Sequence, residues 1–209
     1  MQLTRRNALI GMGTVAAGAG VIGGTGAFTS VEANRTVSVQ TAGDSDAALV
    51  LEQATIDDSV TSNASEYVEE TSGTVEINLD GTQDNSSANA AGINQNAITT
   101  FDNLVGVINQ GTQPITSLTL GMSDENLEGG SLSNVDATFQ FTGYDKDSET
   151  SADNISNGDD LLSALGRSEL GAGATGVNFG IIIDLIDGGD SNGDLPNGDY
   201  TLTITAETS

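Results

Sequence analysis

Apolar residues recur at every second position along several stretches of this chain, the period of strands with one buried face. The clearest case is "TVEINLD", where Val75, Ile77 and Leu79 fall on one side and Thr74, Glu76, Asn78 and Asp80 on the other. "YTLTITAE" repeats the pattern, with Tyr200, Leu202, Ile204 and Ala206 predicted inward and Thr201, Thr203, Thr205 and Glu207 outward. "VDATFQFTGY" aligns Val135, Ala137, Phe139 and Phe141 on one face. Val37 and Val39 alternate with Thr36, Ser38 and Gln40 in a first strand, and residues 48–51 read as a second. "GVNFGIIIDLID" is apolar on both faces and predicts a strand in the middle of a sheet. "FDNLVGVINQGTQPITSLTLGM" reads as two strands joined by a turn at 109–112, with Pro114 just past it, where a missing N–H is tolerated. The polar run "DGTQDNSSANAAG" predicts a loop, and "DDLLSALG" the one convincing helical turn, closed by Gly166. Roughly seven to nine strands with Gly/Asp/Asn-rich turns and little helix predict an all-β fold: a single β-sandwich, jelly-roll or Ig-like, preceded by an N-terminal signal segment.

The N-terminal stretch departs from this pattern. Arg5 and Arg6 are the only charges before Glu32, and residues 8–27 are an uncharged run rich in Gly and Ala. A short basic region, a weakly apolar stretch and small residues at Thr25-Gly26-Ala27 fit an export signal cut between Ala27 and Phe28. Paired arginines before a stretch of low hydrophobicity resemble a twin-arginine signal, although Ala8 stands where that motif usually has Phe. An uncleaved anchor is the competing reading, but glycine-rich sequence makes a poor membrane-spanning helix. The expected organisation is therefore a signal peptide at 1–27 and a β-domain at 28–209. The expected location is the cell surface or the extracellular space, with membrane contact only through the signal segment.

Charge changes the picture further. Thirty acidic residues after the signal face only Arg35, Lys146 and Arg167, a net charge of −27. Such a surface repels nucleic acid and anionic lipid, because neutralising phosphate requires Lys and Arg. High charge often signals disorder, but regular apolar alternation argues for a folded protein working in concentrated salt. At molar ionic strength the Debye length is about 3 Å, so carboxylate repulsion is screened. The composition points to an extremely halophilic, archaeal source.

The chain has no His and no Cys, which removes histidine acid–base chemistry, thiol nucleophiles, disulfides and ordinary zinc sites. A Ser–Lys pair at Lys146 and Ser148 is conceivable, but a solvated loop lysine is the plainer reading. Acids are everywhere and Trp is absent, so no carboxylate pair stands out for sugar hydrolysis. No enzymatic activity is expected. Asp190, Asn192 and Asp194 share the i, i+2, i+4 spacing that lets oxygens converge on Ca²⁺, with Asp187 and Asp199 able to complete a looser site. Leu195 and Thr201 stand where a calcium loop needs Gly and Glu, so an acidic hairpin turn competes with that reading. No other cofactor is implied. Four Asn-x-Ser/Thr sequons, at Asn34, Asn63, Asn85 and Asn154, are candidate glycosylation sites on an exported protein.

The signal end "GGTGAF", the strand "RTVSV" directly after it, "AGINQNAITTFDNLVGVINQGTQPI" and the closing "GDYTLTITA" resemble the camelysin/TasA family of secreted biofilm-fibre proteins, especially its haloarchaeal members. The resemblance implies a jelly-roll-like sandwich that assembles into extracellular filaments. Family members have been described as metallopeptidases; without His, that activity has nothing here to carry it. The partner it implies is another copy of the chain. The second reading is a monomeric cell-surface or S-layer-associated module that binds other surface proteins. "FTSVEANRTVSV" suggests how copies would join: Val31, Ala33, Arg35, Val37 and Val39 share one parity, forming a donor strand that lies in its own sheet or adds to a neighbour's.

Overall fold

The computed structural model describes residues 36–38, 49–71, 74–79, 93–128, 132, 134–173, 175–190 and 193–208, all within the unit Ala33–Ser209. Among them are twelve strands and three short helices. The order is β1 (Thr36–Ser38), β2 (Leu49–Gln53), β3 (Thr55–Ile56), β4 (Ser59–Val60), α1 (Ser62–Tyr67), β5 (Val68–Thr71), β6 (Thr74–Asn78) and β7 (Ile98–Asn109). There follow β8 (Ile115–Glu128), α2 (Val135–Thr138), β9 (Phe139–Asp145), β10 (Thr150–Ser156), α3 (Leu161–Ala164), β11 (Thr175–Asp184) and β12 (Asn197–Thr208). One sheet runs β5-β6-β1-β12-β8 and the other β10-β9-β11-β7-β2, with β3 and β4 as a separate hairpin. The fold is all-β, as the periodicity predicts. Neighbouring strands are antiparallel, except that β1 runs parallel to β12.

The alternation becomes the core. Val75, Ile77 and Leu79 are buried, as are Tyr200 and Leu202, while Thr201, Thr203 and Thr205 are exposed. β11 lies between β9 and β7 and is buried along both faces, which explains its continuous apolar run. Residues from both sheets meet in one apolar cluster, with Ile77, Leu118 and Leu120 from the first and Phe139, Phe141, Phe179 and Ile181 from the second. Each such side chain contributes roughly 1.5–3 kcal/mol on removal from water. Phe139 meets the Tyr200 ring edge-on, with centroids 5.3 Å apart, so the cluster is stitched across the two sheets.

Two expectations from the pattern need correction. Residues 135–138 form a helical turn rather than the start of a strand, because Asn134 Oδ1 accepts from the backbone N–H groups of Asp136 and Ala137 and caps it. The strand begins only at Phe139. The turn after β7 does not fold β8 back beside it; the two strands lie in different sheets. Asn109 makes that crossing: its Oδ1 accepts from Gly111 N while its Nδ2 donates to the carbonyls of Gln113 and Leu170.

The segment from β3 to β5 and strand β10 have no clear period and escape the sequence pattern. β10 is placed by its pairing with β9, and the β3–α1 segment by a bulge in β7, where β11 advances from Phe179 to Ile181 while β7 advances from Val105 to Phe101. Asn103 sits in the bulge at φ 51°. Its exposed carbonyls are met from the β3–α1 segment: Ala54 N donates to Leu104 O, Thr61 Oγ1 to Asn103 O, and Asn63 Nδ2 to Asp102 O.

Candidate functional site

The candidate site is the slot that β1 occupies. β1 is three residues long and lies in the middle of its sheet, between the ends of β6 and β12. Its register sets Thr36, Val37 and Ser38 against Asn78, Ile77 and Glu76, and sets Val37 and Ser38 against Tyr200 and Thr201. Val37 is thus level with Ile77 and Tyr200, two buried residues. A strand in this slot is hydrogen-bonded on both sides, whereas a strand added to a sheet edge bonds on one.

The outer edges of the two sheets are closed by other means. The free edge of β8 is met along its first half by the segment that links β10 to β11. Ile115 and Leu170 exchange both backbone hydrogen bonds, at 3.0 and 2.8 Å. Asp160 Oδ1 accepts from Leu118 N at 2.9 Å and Gly158 N donates to Leu120 O at 2.8 Å. Asn157 uses its whole carboxamide as a substitute strand, with Oδ1 accepting from Met122 N and Nδ2 donating to Met122 O. On the other side, β5 and β2 are tied across the two sheets: Gln53 Nε2 donates to Val68 O and Gln53 N to Glu70 Oε1. β10 carries a bulge between Ala152 and Ile155, with Asn154 at φ 56° and exposed. Bulges, charges and covering segments of this kind block edge-to-edge addition.

Asp160 does two jobs with one oxygen, since Oδ1 also accepts from Leu162 N and caps α3. Replacing Asp160 by Ala removes the cap and strands an edge amide. We expect a loss of about 2 kcal/mol, with most of it restored by Asp160→Asn; chemical denaturation measures both.

Of the candidate donor residues, Val37 lies in β1, while Val31, Ala33, Arg35 and Val39 lie outside the described residues. So do Arg5, Arg6, Ala27, Phe28, Asn34, Asn85 and Asn192. Asp190 and Asp194 come together in a tight turn in which Asp190 Oδ1 accepts from Asp194 N, Asp194 Oδ1 from Leu195 N, and Asp194 Oδ2 from Gln95 Nε2. Amide donors hold these carboxylates in the geometry of an acidic turn. Among the described residues no group of three or more acids converges as a metal site. Asn63 has one N–H of its amide engaged on the β7 bulge, and Asn154 stands exposed on the edge strand β10. Lys146 and Ser148 are not paired. Ser148 Oγ donates to Asp145 Oδ2, and Lys146 is partly buried, with Nζ 3.1 Å from Thr55 Oγ1. The expectation of a solvated loop lysine is therefore corrected: β3 reaches across to cover this side chain.

Arg167 was not singled out by any motif, yet it anchors the β9–β10 turn. Its Nη1 donates to Asp145 Oδ1 at 2.6 Å and to Asp147 Oδ2 at 3.0 Å. Burial alone pushes the Asp145 carboxyl up, but hydrogen bonds from Ser148 and the Asp147 backbone, with the Arg167 charge, outweigh it and hold the group below its ordinary value.

Comparison with protein-family models and with curated proteins finds no match for this chain.

Proposed function

We propose that this is an exported, acidic structural protein of the cell surface that assembles into extracellular filaments by strand addition. In the filament, β1 of one copy occupies the slot between β6 and β12 of the next. The observation that carries the reading is the position of β1: three residues, bonded on both sides within a sheet whose far edge at β8 is covered along its first half. A strand supplied by another chain would make the same hydrogen bonds, so exchange conserves main-chain bonding and is decided by concentration and linkage. The twin-arginine pair, the resemblance to secreted fibre proteins and the net charge of −27 carried by the residues after the signal segment support export into salt. The second reading, a monomeric surface module, keeps β1 in its own sheet and is favoured by the same pairing within one chain.

Deleting residues 28–40 from the exported chain separates the two. The filament reading expects a soluble β-rich monomer that forms no fibres in high salt by negative-stain microscopy. A peptide of residues 28–40 should bind this monomer and raise its melting temperature. Fibres formed by the truncated protein would contradict the reading.

A further inference from the structure

A different cluster, independent of the filament reading, lies on sheet β10-β9-β11-β7-β2. Asn178 of β11 is fully buried, and its Nδ2 donates to Thr55 O at 3.1 Å and to Asn103 Oδ1 at 3.3 Å. Its Oδ1 is buried and accepts from nothing. A buried orphan acceptor is costly and calls for an explanation. The register supplies its neighbours. Asn178 is level with Tyr144 on one side and Gly106 on the other, and Gly106 is level with Glu52. Gly106 leaves a gap in this row: a Cβ there would stand 3.3 Å from Asn178 Oδ1 and 3.6 Å from Glu52 Oε1. The amide oxygen and the carboxylate therefore border one space. Lys146, the residue just past the end of β9, lies two residues beyond Tyr144 and so diagonally from Asn178, a spacing that long side chains span. Its Nζ is 4.0 Å from Glu52 Oε1 and donates to Thr55 Oγ1, so Lys146 and Asn178 both grip Thr55.

An amine, a carboxamide and a carboxylate thus converge at a site where Asn178 is fully buried and Lys146 and Glu52 are partly so. We propose that Lys146 and Asn178 join in an intramolecular isopeptide bond, with Glu52 as the catalytic proton carrier. Glu52 accepts a proton from the Lys146 ammonium. The freed amine swings on its flexible stem from Thr55 Oγ1 to the Cγ of Asn178, closing to the ~3–3.5 Å of a near-attack geometry. Attack forms the Nζ–Cγ bond and places negative charge on Oδ1. The Glu52 O–H donates to that atom, so the orphan acceptor gains its partner as charge develops. Glu52 then relays a proton from Nζ to Nδ2, the Cγ–Nδ2 bond breaks, and nitrogen leaves as ammonia, which takes up the remaining proton as ammonium. Lysine ammonium plus carboxamide gives secondary amide plus ammonium, no oxidant is needed, and Glu52 ends as it began. The bond would tie β9 to β11 and give a cysteine-free surface protein a covalent brace.

Intact-mass spectrometry of the full chain, purified folded and then denatured, tests this. The expected result is a mass lower by one ammonia than the sequence requires for the N-terminus observed. Digestion with an Asp-directed protease should yield one branched peptide joining Lys146 to Asn178. Lys146→Arg, which keeps the charge and removes the nucleophile, should restore the full mass, as should Glu52→Gln. A full-mass wild-type protein, or a deficit that persists in Lys146→Arg, overturns the proposal; a deficit undiminished in Glu52→Gln overturns the role of that carboxylate.

Discussion

Replacing Arg167 by Ala is expected to lower stability by about 3–5 kcal/mol, measured as a shift in denaturation midpoint, because it leaves a buried carboxylate without its counter-charge. Asp145 is 3% exposed and receives Arg167 Nη1 at 2.6 Å. Asp147, at 3.0 Å from the same nitrogen, is far more exposed and adds little. Arg167→Lys should recover only part, since one ammonium on a shorter reach replaces a planar donor set. The pH dependence has a defined sign. The folded-state pKa of Asp145 is held below its ordinary value, so its contribution is present above the unfolded carboxylate range, near pH 4, and is lost as pH falls through the folded pKa. In Arg167→Ala that acid-side loss should shrink, because the largest charge favouring the ionised form is gone.

Gly180→Ala should be comparably severe, on the order of 3 kcal/mol, through overpacking that no rotamer can relieve. A Cβ at Gly180 would fall 2.1 Å from Phe101 O and 2.8 Å from Asp102 Cα, both backbone atoms of the β7 bulge, and 2.6 Å from Thr142 Oγ1. Thr142→Ala would clear only the last of these, so the double variant should remain nearly as unstable as Gly180→Ala alone. A melting temperature within a degree or two of wild type for Gly180→Ala would show that the bulge yields, contrary to the geometry described.

The sheet faces were legible wherever one side of a strand meets the core. Val75, Ile77 and Leu79 of "TVEINLD" are buried, Tyr200 and Leu202 of "YTLTITAE" are buried between exposed threonines, and Gly166 ends its helical turn at φ 72° as expected. Features that depend on what crosses a strand, rather than on the strand itself, were not legible. The β7 bulge rests on Asn103 accepting a left-handed conformation and on donors from Thr61 and Asn63, some forty residues earlier in the chain. One signal was available, because an isolated glycine inside the apolar run "NFGIIID" marks a close backbone approach. Lys146 was misjudged for a related reason. A lone Lys146 among acids reads as solvated, but its covering strand β3 is only two residues long and has no period of its own. The candidate site was legible as a strand, not as a slot: alternation at Val37 and Val39 predicts β1, but not its parallel pairing with β12.

Whether another chain can supply β1 is tested by cross-linking. Ser38 and Thr201 are register partners on neighbouring strands, about 5 Å apart, within disulfide range, and the chain has no cysteine of its own. Chains carrying Ser38→Cys are mixed in high salt with chains carrying Thr201→Cys, allowed to assemble and oxidised. The expected result is a disulfide-linked pair containing one chain of each kind, found in the fibre fraction on a non-reducing gel. No mixed pair, while a single chain carrying both substitutions closes its own disulfide, would contradict it and leave β1 as a strand of its own sheet.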